Sequence, residues 1–203
     1  MILLFAGWLA DFWEWIKPLD GWLLFKVNPG LHQPLLDSFV PLFRETSFWI
    51  PLYLFLLVFV LQNFGTKGIW WALGVVLIAA TADLLSSQLI KQTIWRVRPC
   101  QDPDFASRIF FIINYCPKSS SFTSSHATTH FAQATFFYLT LRHTSKWWKL
   151  AFVWAFLIGF SQVYVAVHYP FDVLCGALIG CLVGLAVAGL FHRQFGKLEL
   201  QHN

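Results

Sequence analysis

Five apolar stretches, at 48–64, 68–91, 127–141, 147–167 and 170–191, exclude most folds for this chain. A segment that crosses the hydrocarbon core of a bilayer needs about 20 mostly apolar residues. It must also pair its own backbone amides, because lipid offers no partners, so such segments are helices unless they close a barrel. Only 12% of the residues are charged and 57% are hydrophobic, with a mean hydropathy of +0.59; soluble domains carry about 25% charged residues. The expectation is an all-α polytopic membrane bundle of about five transmembrane helices. No Gly/Ser-rich linker, charge block or internal repeat divides the 203 residues, so they read as a single membrane domain: an interfacial N-terminal segment over 1–46, a transmembrane core over 47–191 and a cytoplasmic tail over 192–203.

The opening "MILLFAGWLADFWEWIKPLDGW" lacks a basic start and a small-residue cleavage site, and Asp11 and Glu14 interrupt it, which argues against a cleavable signal. Trp8, Trp13, Trp15 and Trp22 suit a helix lying in the headgroup layer. Residues 19–46 read as a short helix, a turn at "NPG" and a second amphipathic segment along the surface. The formal charge of +4 comes from scattered or membrane-flanking cations rather than a basic run, so no nucleic-acid partner is expected. Lys67, Arg142, Lys146, Lys149, Arg193 and Lys197 fall on one side of the alternating loops, which the positive-inside rule makes cytoplasmic. The loop 92–126 and the "HYPFD" junction fall on the outer side of the cytoplasmic membrane. Cys100 and Cys116 both lie in that loop, where an oxidising compartment permits a bridge.

Three segments end at the outer face. In "KQTIWRVRP", Lys91, Arg96 and Arg98 cluster before Pro99; a single cation there can snorkel to headgroups, but guanidinium forks beside an ammonium match phosphate oxygens. In "SSSFTSSHATTHF", Ser124 or Ser125 is placed to cap a helix, and the free amides of that first turn form an anion site with His126 beside it. In "SQVYVAVHYPFD", Ser161 lies two turns before His168, and Asp172 follows across Pro170. A carboxylate that takes the proton of one imidazole nitrogen leaves the other free as a nucleophile.

These residues resemble the type 2 phosphatidic acid phosphatase superfamily, integral membrane enzymes that dephosphorylate lipid phosphates without metal. Its first motif, Lys, six residues, Arg-Pro, is matched by Lys91, Arg98 and Pro99. The second, Pro-Ser-Gly-His, stands here as Thr123, Ser124, Ser125 and His126. The third is matched by Ser161, His168 and Asp172, with Gln162 where the family has arginine. The resemblance covers roughly 48–191 and implies a phosphatase acting on a lipid phosphate or pyrophosphate at the periplasmic or extracellular face, with the bilayer as its setting and no metal or cofactor. It also implies roles: His168 attacks phosphorus to form a phosphohistidine, Asp172 orients it, and His126 protonates the leaving oxygen and then activates water. Lys91, Arg98, Ser124, Ser125 and Ser161 hold the phosphate, with Gln162 donating a neutral hydrogen bond and Arg96 expected to replace part of the missing charge. Undecaprenyl pyrophosphate is the first substrate expected, with phosphatidylglycerol phosphate, phosphatidic acid and lipid A phosphates as alternatives.

Two rival readings exist. His126 and His130 sit four apart on one helix face, as in a zinc hydrolase, but Ala127 stands where such a helix needs glutamate, so His130 is expected as a polar contact within the bundle. A non-catalytic lipid-binding or transport protein would need the cations but not an imidazole with a carboxylate partner. Asp83, inside the second apolar stretch, is expected to face the bundle.

Overall fold

The structure, a computed structural model, describes residues 2–200, with side chains from residue 7 onward. Helix accounts for 75% of it, and no strand occurs among the described residues. The helices are α1 (Ile2–Val27), α2 (Pro34–Phe39), α3 (Ile50–Asp83), α4 (Lys91–Thr93), α5 (Ser125–Leu141), α6 (Leu150–Tyr164) and α7 (Pro170–Phe195). α5 is the axis of the bundle. Its Ala132, Ala134, Phe136, Phe137 and Leu141 are buried against α3, α6 and α7.

The α5–α7 contact depends on the small residues spaced along α7. A Cβ added at Gly180 would stand 2.3 Å from the Thr128 carbonyl oxygen, and one at Gly184 2.4 Å from that of Ala132. Only hydrogen fits there, so the two backbones approach closely, as small residues permit in membrane helix pairs.

α3 holds both of the first two apolar stretches. At Gly65 the backbone takes φ 54°, ψ −127°, a region open to glycine, and the chain reverses there. The return is tight: a Cβ on Gly68 would lie 2.1 Å from the Val60 carbonyl oxygen. The second arm continues through a π-helical segment, Leu84–Ile90, into α4. Among the described residues, Thr46–Thr93 and Pro170–Phe195 are the two helical stretches long and apolar enough to cross a membrane, with mean hydropathies of 1.8 and 2.5. α6 is shorter than expected, because its first residues form a 3₁₀ turn, Lys146–Lys149.

Two other expectations change. α1 is one helix through Val27, without the break foreseen near residue 19. Ile16, Asp20 and Leu24 are buried and share one face at four-residue spacing, which holds the helix together past the exposed Pro18. Asp83 does not face the bundle. It is exposed and accepts a hydrogen bond from Ser87 Oγ at 2.7 Å, a local partner that partly satisfies the carboxylate without burial.

The two ends of the bundle differ. At one, Lys67 Nζ donates to the Lys197 carbonyl at 3.2 Å and His143 bonds the Leu198 carbonyl. The other end collects α1, the 92–126 loop and the α6–α7 junction. There Cys100 and Cys116 are disulfide-bonded across 16 residues.

Candidate active site

Each expected site residue comes from a helix end or the segment beside it. Ser124 caps α5, its Oγ accepting from the Ala127 amide at 3.4 Å, and its own amide donates to the Asp172 carbonyl at 3.2 Å. That bond joins the start of α5, which carries His126, to the start of α7, four residues after His168. Ser125 Oγ lies 3.0 Å from Ser86 Oγ and 2.9 Å from Ser87 Oγ. It thereby latches α5 to the π-helical segment that leads into Lys91. π turns inside α-helices occur mostly at functional sites.

His168 is positioned by an unusual turn. α6 ends at Tyr164, and Ala166 adopts φ +56°, a conformation that costs a non-glycine residue energy and concentrates at functional sites. The turn brings the Val167 and His168 amides to the Gln162 carbonyl at 3.1 and 3.2 Å.

The environment of His168 fixes its tautomer. Arg98 Nη1 lies 3.2 Å from Nε2, and a guanidinium can only donate. Nε2 is therefore the acceptor, its lone pair turned toward Arg98, and the proton sits on Nδ1. Nδ1 faces Asp172 Oδ2 at 3.7 Å, an electrostatic contact longer than a hydrogen bond. The carboxylate is already engaged: Oδ2 accepts from Ser121 Oγ at 2.5 Å and the Tyr169 amide at 3.0 Å, and Oδ1 from Arg96 at 2.6 Å. Asp172 is thus held by three donors beside His168.

Arg98 is 3% exposed. Its other bonds run to the Ser119, Ser120 and Val167 carbonyls at 2.8 to 3.2 Å and to Ser119 Oγ at 3.1 Å. Burial and the nearby Arg44 pull its pKa down to about 10, which leaves it charged at neutral pH. Lys91 lies within electrostatic range of Arg98, His126 and His168, so the two imidazoles share a neighbourhood of positive charge. Ser161 is buried and donates to the Ile158 carbonyl at 2.7 Å. Gln162 is 1% exposed and its side-chain nitrogen has no hydrogen-bond partner. His130 donates to the His126 carbonyl at 2.7 Å and lies 3.4 Å from the Tyr53 hydroxyl, a polar contact within the bundle.

Arg96 is the clearest departure. It was expected to bind phosphate, but both terminal nitrogens are taken, Nη1 by Asp172 and Nη2 by Asp20, each at 2.6 Å. The guanidinium is sandwiched between Tyr169 and Trp13, 4.1 and 4.6 Å from the ring centroids. Asp20 Oδ1 in turn accepts from the Phe171 amide at 2.8 Å. A carboxylate and a phosphate offer a guanidinium the same planar pair of oxygens, so sequence spacing could not distinguish them. The charge of Arg96 is neutralised by two carboxylates, whereas the acceptors around Arg98 are neutral and leave its charge uncompensated; Arg96 holds Asp172. Sequence reasoning also missed Asp20, Ser121, Ser86 and Arg44; a buried aspartate on the face of a surface helix was the one available signal for Asp20.

Burial lowers the pKa of His168 most, Asp172 opposes, and Arg98 and Lys91 add to the lowering, leaving it at about 3. The unfolded chain takes up this proton near pH 6.5, and the folded chain does not until about 3. The contribution of His168 to stability is therefore complete above pH 6.5 and is lost as pH falls toward 3. Melting temperature in detergent is expected to fall between pH 7 and pH 5, and to fall less steeply in His168→Asn. Parallel curves for the two proteins would contradict this.

Comparison with known proteins gives the family. The sequence profile of the PAP2 superfamily matches residues 68–195. The chain is 28% identical to the lipid A 4'-phosphatase of Bacteroides thetaiotaomicron, over 92% of this chain and 83% of that protein. It is 30% identical to the lipid A 4'-phosphatase of Porphyromonas gingivalis, over 84% and 72%. Among solved structures, the transmembrane PAP2 type phosphatidylglycerolphosphate phosphatase from Bacillus subtilis superposes with a TM-score of 0.67 at 26% identity, covering 95% of this chain and 94% of that one. Profile, relatives and fold converge: the chain belongs to the PAP2 superfamily and is a membrane phosphatase of that family.

Proposed function

We propose that this protein removes a phosphate group from a membrane lipid through a covalent intermediate on His168, without metal. The observation that carries the reading is the hydrogen bond from Arg98 to Nε2, which fixes Nε2 as the unprotonated nitrogen beside a buried cation; its lone pair is freed when Arg98 turns that N–H to an incoming phosphate oxygen. Phosphoryl transfer asks mainly for in-line placement and neutralisation of the oxygens. Lys91, Arg98 and the amides at the start of α5 supply the positive field, with Ser124, Ser125, Ser161 and Gln162 around it. The Nε2 pair forms the P–N bond as the P–O bond to the lipid breaks, and His126, which takes up a proton when the anionic phosphate binds beside it, delivers that proton to the leaving oxygen. The Nδ1 proton stays on the ring, facing Asp172, which stabilises the positive imidazole. In the second half, His126 takes a proton from water, the water oxygen bonds phosphorus, and the P–N pair returns to Nε2.

The two arms of α3 with α5, α6 and α7 give five crossings of a single membrane domain. The disulfide beside the site supports an oxidising, outer-face location, and the cations at the opposite end support a cytoplasmic one for Lys67 and Lys197. The two lipid A 4'-phosphatases compared above match over 92% and 84% of this chain, more than the 79% matched by an undecaprenyl-diphosphatase of Bacillus subtilis. Lipid A therefore moves ahead of undecaprenyl pyrophosphate as the substrate to test.

Phosphate release should be measured on lipid A, phosphatidylglycerol phosphate, phosphatidic acid and undecaprenyl pyrophosphate, with and without EDTA. The expected result is EDTA-insensitive release, fastest on lipid A, with a label trapped on the protein that is acid-labile and alkali-stable. EDTA-sensitive turnover would overturn the mechanism, and a preference for undecaprenyl pyrophosphate would overturn the substrate.

A further inference from the structure

Arg44 ends a 3₁₀ turn, Val40–Arg44, that packs against α6, the helix bearing Ser161 and Gln162. Val40 is buried with Tyr164, Val165 and Val167, which fixes the turn against the segment running into His168. Arg44 is 8% exposed. Nη2 donates to the Tyr115 hydroxyl at 2.9 Å, while Nη1 is buried with no hydrogen-bond partner. Burying an unpaired donor on a charged group is costly, so a well-folded site keeps one only where an acceptor arrives.

Three observations indicate where that acceptor binds. Arg44 lies within electrostatic range of Arg98 and of His126, the groups on either side of the reacting phosphate in the scheme above. No carboxylate among the described residues pairs with it, in contrast with Arg96. The Gln162 side-chain nitrogen, on the helix against which the Arg44 turn packs, is a second buried donor without a partner. Several mutually repelling or unsatisfied donors gathered at one place are stabilised together by one anion.

We infer that Arg44 is a phosphate-binding residue of this site, supplying from the N-terminal segment the guanidinium that Gln162 does not. The inference rests on the proposed hydrolysis and adds a residue to it. The disulfide supports the arrangement, since Cys116 adjoins Tyr115 and its partner Cys100 follows Arg98 by two residues. The bridge thus ties the anchor of Arg44 to the segment of Arg98.

The test compares wild type, His168→Ala, Arg44→Met, Arg44→Lys and Arg44→Met/Gln162→Arg for turnover of lipid A and for binding of inorganic phosphate by calorimetry. Arg44→Met keeps the packing stem and loses the charge. It is expected to lower kcat/KM by about 10- to 100-fold and to weaken phosphate binding at least 10-fold, with Gln162→Arg restoring most of both. Values within twofold of wild type, or a loss that Gln162→Arg does not restore, would overturn the inference. Should Arg44→Met not accumulate, Arg44→Lys decides: phosphate binding weakened threefold or more supports it, and unchanged binding overturns it. A wild type no faster than His168→Ala would sink the phosphohistidine reading, while phosphate affinity would still decide for or against Arg44.

Discussion

His168→Ala is expected to lower kcat by about four orders of magnitude or more, with the protein still folded. Removing the nucleophile of a covalent mechanism costs on that scale, because the positioned charges that remain recover only part of the acceleration. The variant deletes the lone pair without deleting Lys91, Arg98 or the α5 amides, so substrate still binds and KM changes little. Folding is protected because the imidazole makes few bonds of its own. Arg98 loses one acceptor of five but keeps four at 2.8 to 3.2 Å. Single-turnover kinetics with acid and alkaline quenching would check this directly: the alkali-stable label disappears with the histidine. Residual turnover above one per cent of wild type would move the nucleophile to another residue.

Arg96→Ala is expected to damage stability rather than affinity. The variant strands the carboxylates of Asp20 and Asp172, whose side chains are 2% and 0% exposed, and removes a guanidinium stacked between two rings. Breaking a buried ion pair by deleting one partner costs about 3–5 kcal/mol, and the lost cation–π contacts add about 1 kcal/mol. At roughly 2–4 °C per kcal/mol for a chain of this length, the melting temperature should fall by about 10 °C or more. Arg96→Lys should not rescue it, since one ammonium cannot bridge two carboxylates in a plane. Activity should fall too, because Asp172 loses the donor on Oδ1 and with it its fixed position beside His168. A phosphate-binding role would give the opposite pattern, a raised KM at unchanged melting temperature.

Burial costs explain which parts of this molecule could be read from residues alone. Polar groups in lipid-facing segments are expensive, so Lys91, His126, His168 and Asp172 mark helix ends, and those ends meet in the structure. Ser124 could be read as a cap because only a few side chains satisfy a first-turn amide. The glycines spaced along the last apolar stretch are visible in the sequence, and α5 is what packs against them. The π-helical segment over Leu84–Ile90 could not be read, since seven mostly apolar residues do not distinguish one helical period from another. Nor could the partners of Arg96, because Asp20 lies 76 residues before it and Asp172 76 after, and no local pattern encodes pairing at that range. Arg44 was missed for a related reason. One cation in "VPLFR" looks like a headgroup contact until α6 is seen against it.

The link from Asp20 through Arg96 to Asp172 also sets an order of assembly. Asp20 belongs to α1, yet its partners emerge 76 and 151 residues later. Asp20 is therefore left without its buried partners until α7 is in place and closes the bridge. Competence to hydrolyse arrives with that final step, so a truncated nascent chain carries basic groups that attract lipid headgroups but nothing that can cleave them.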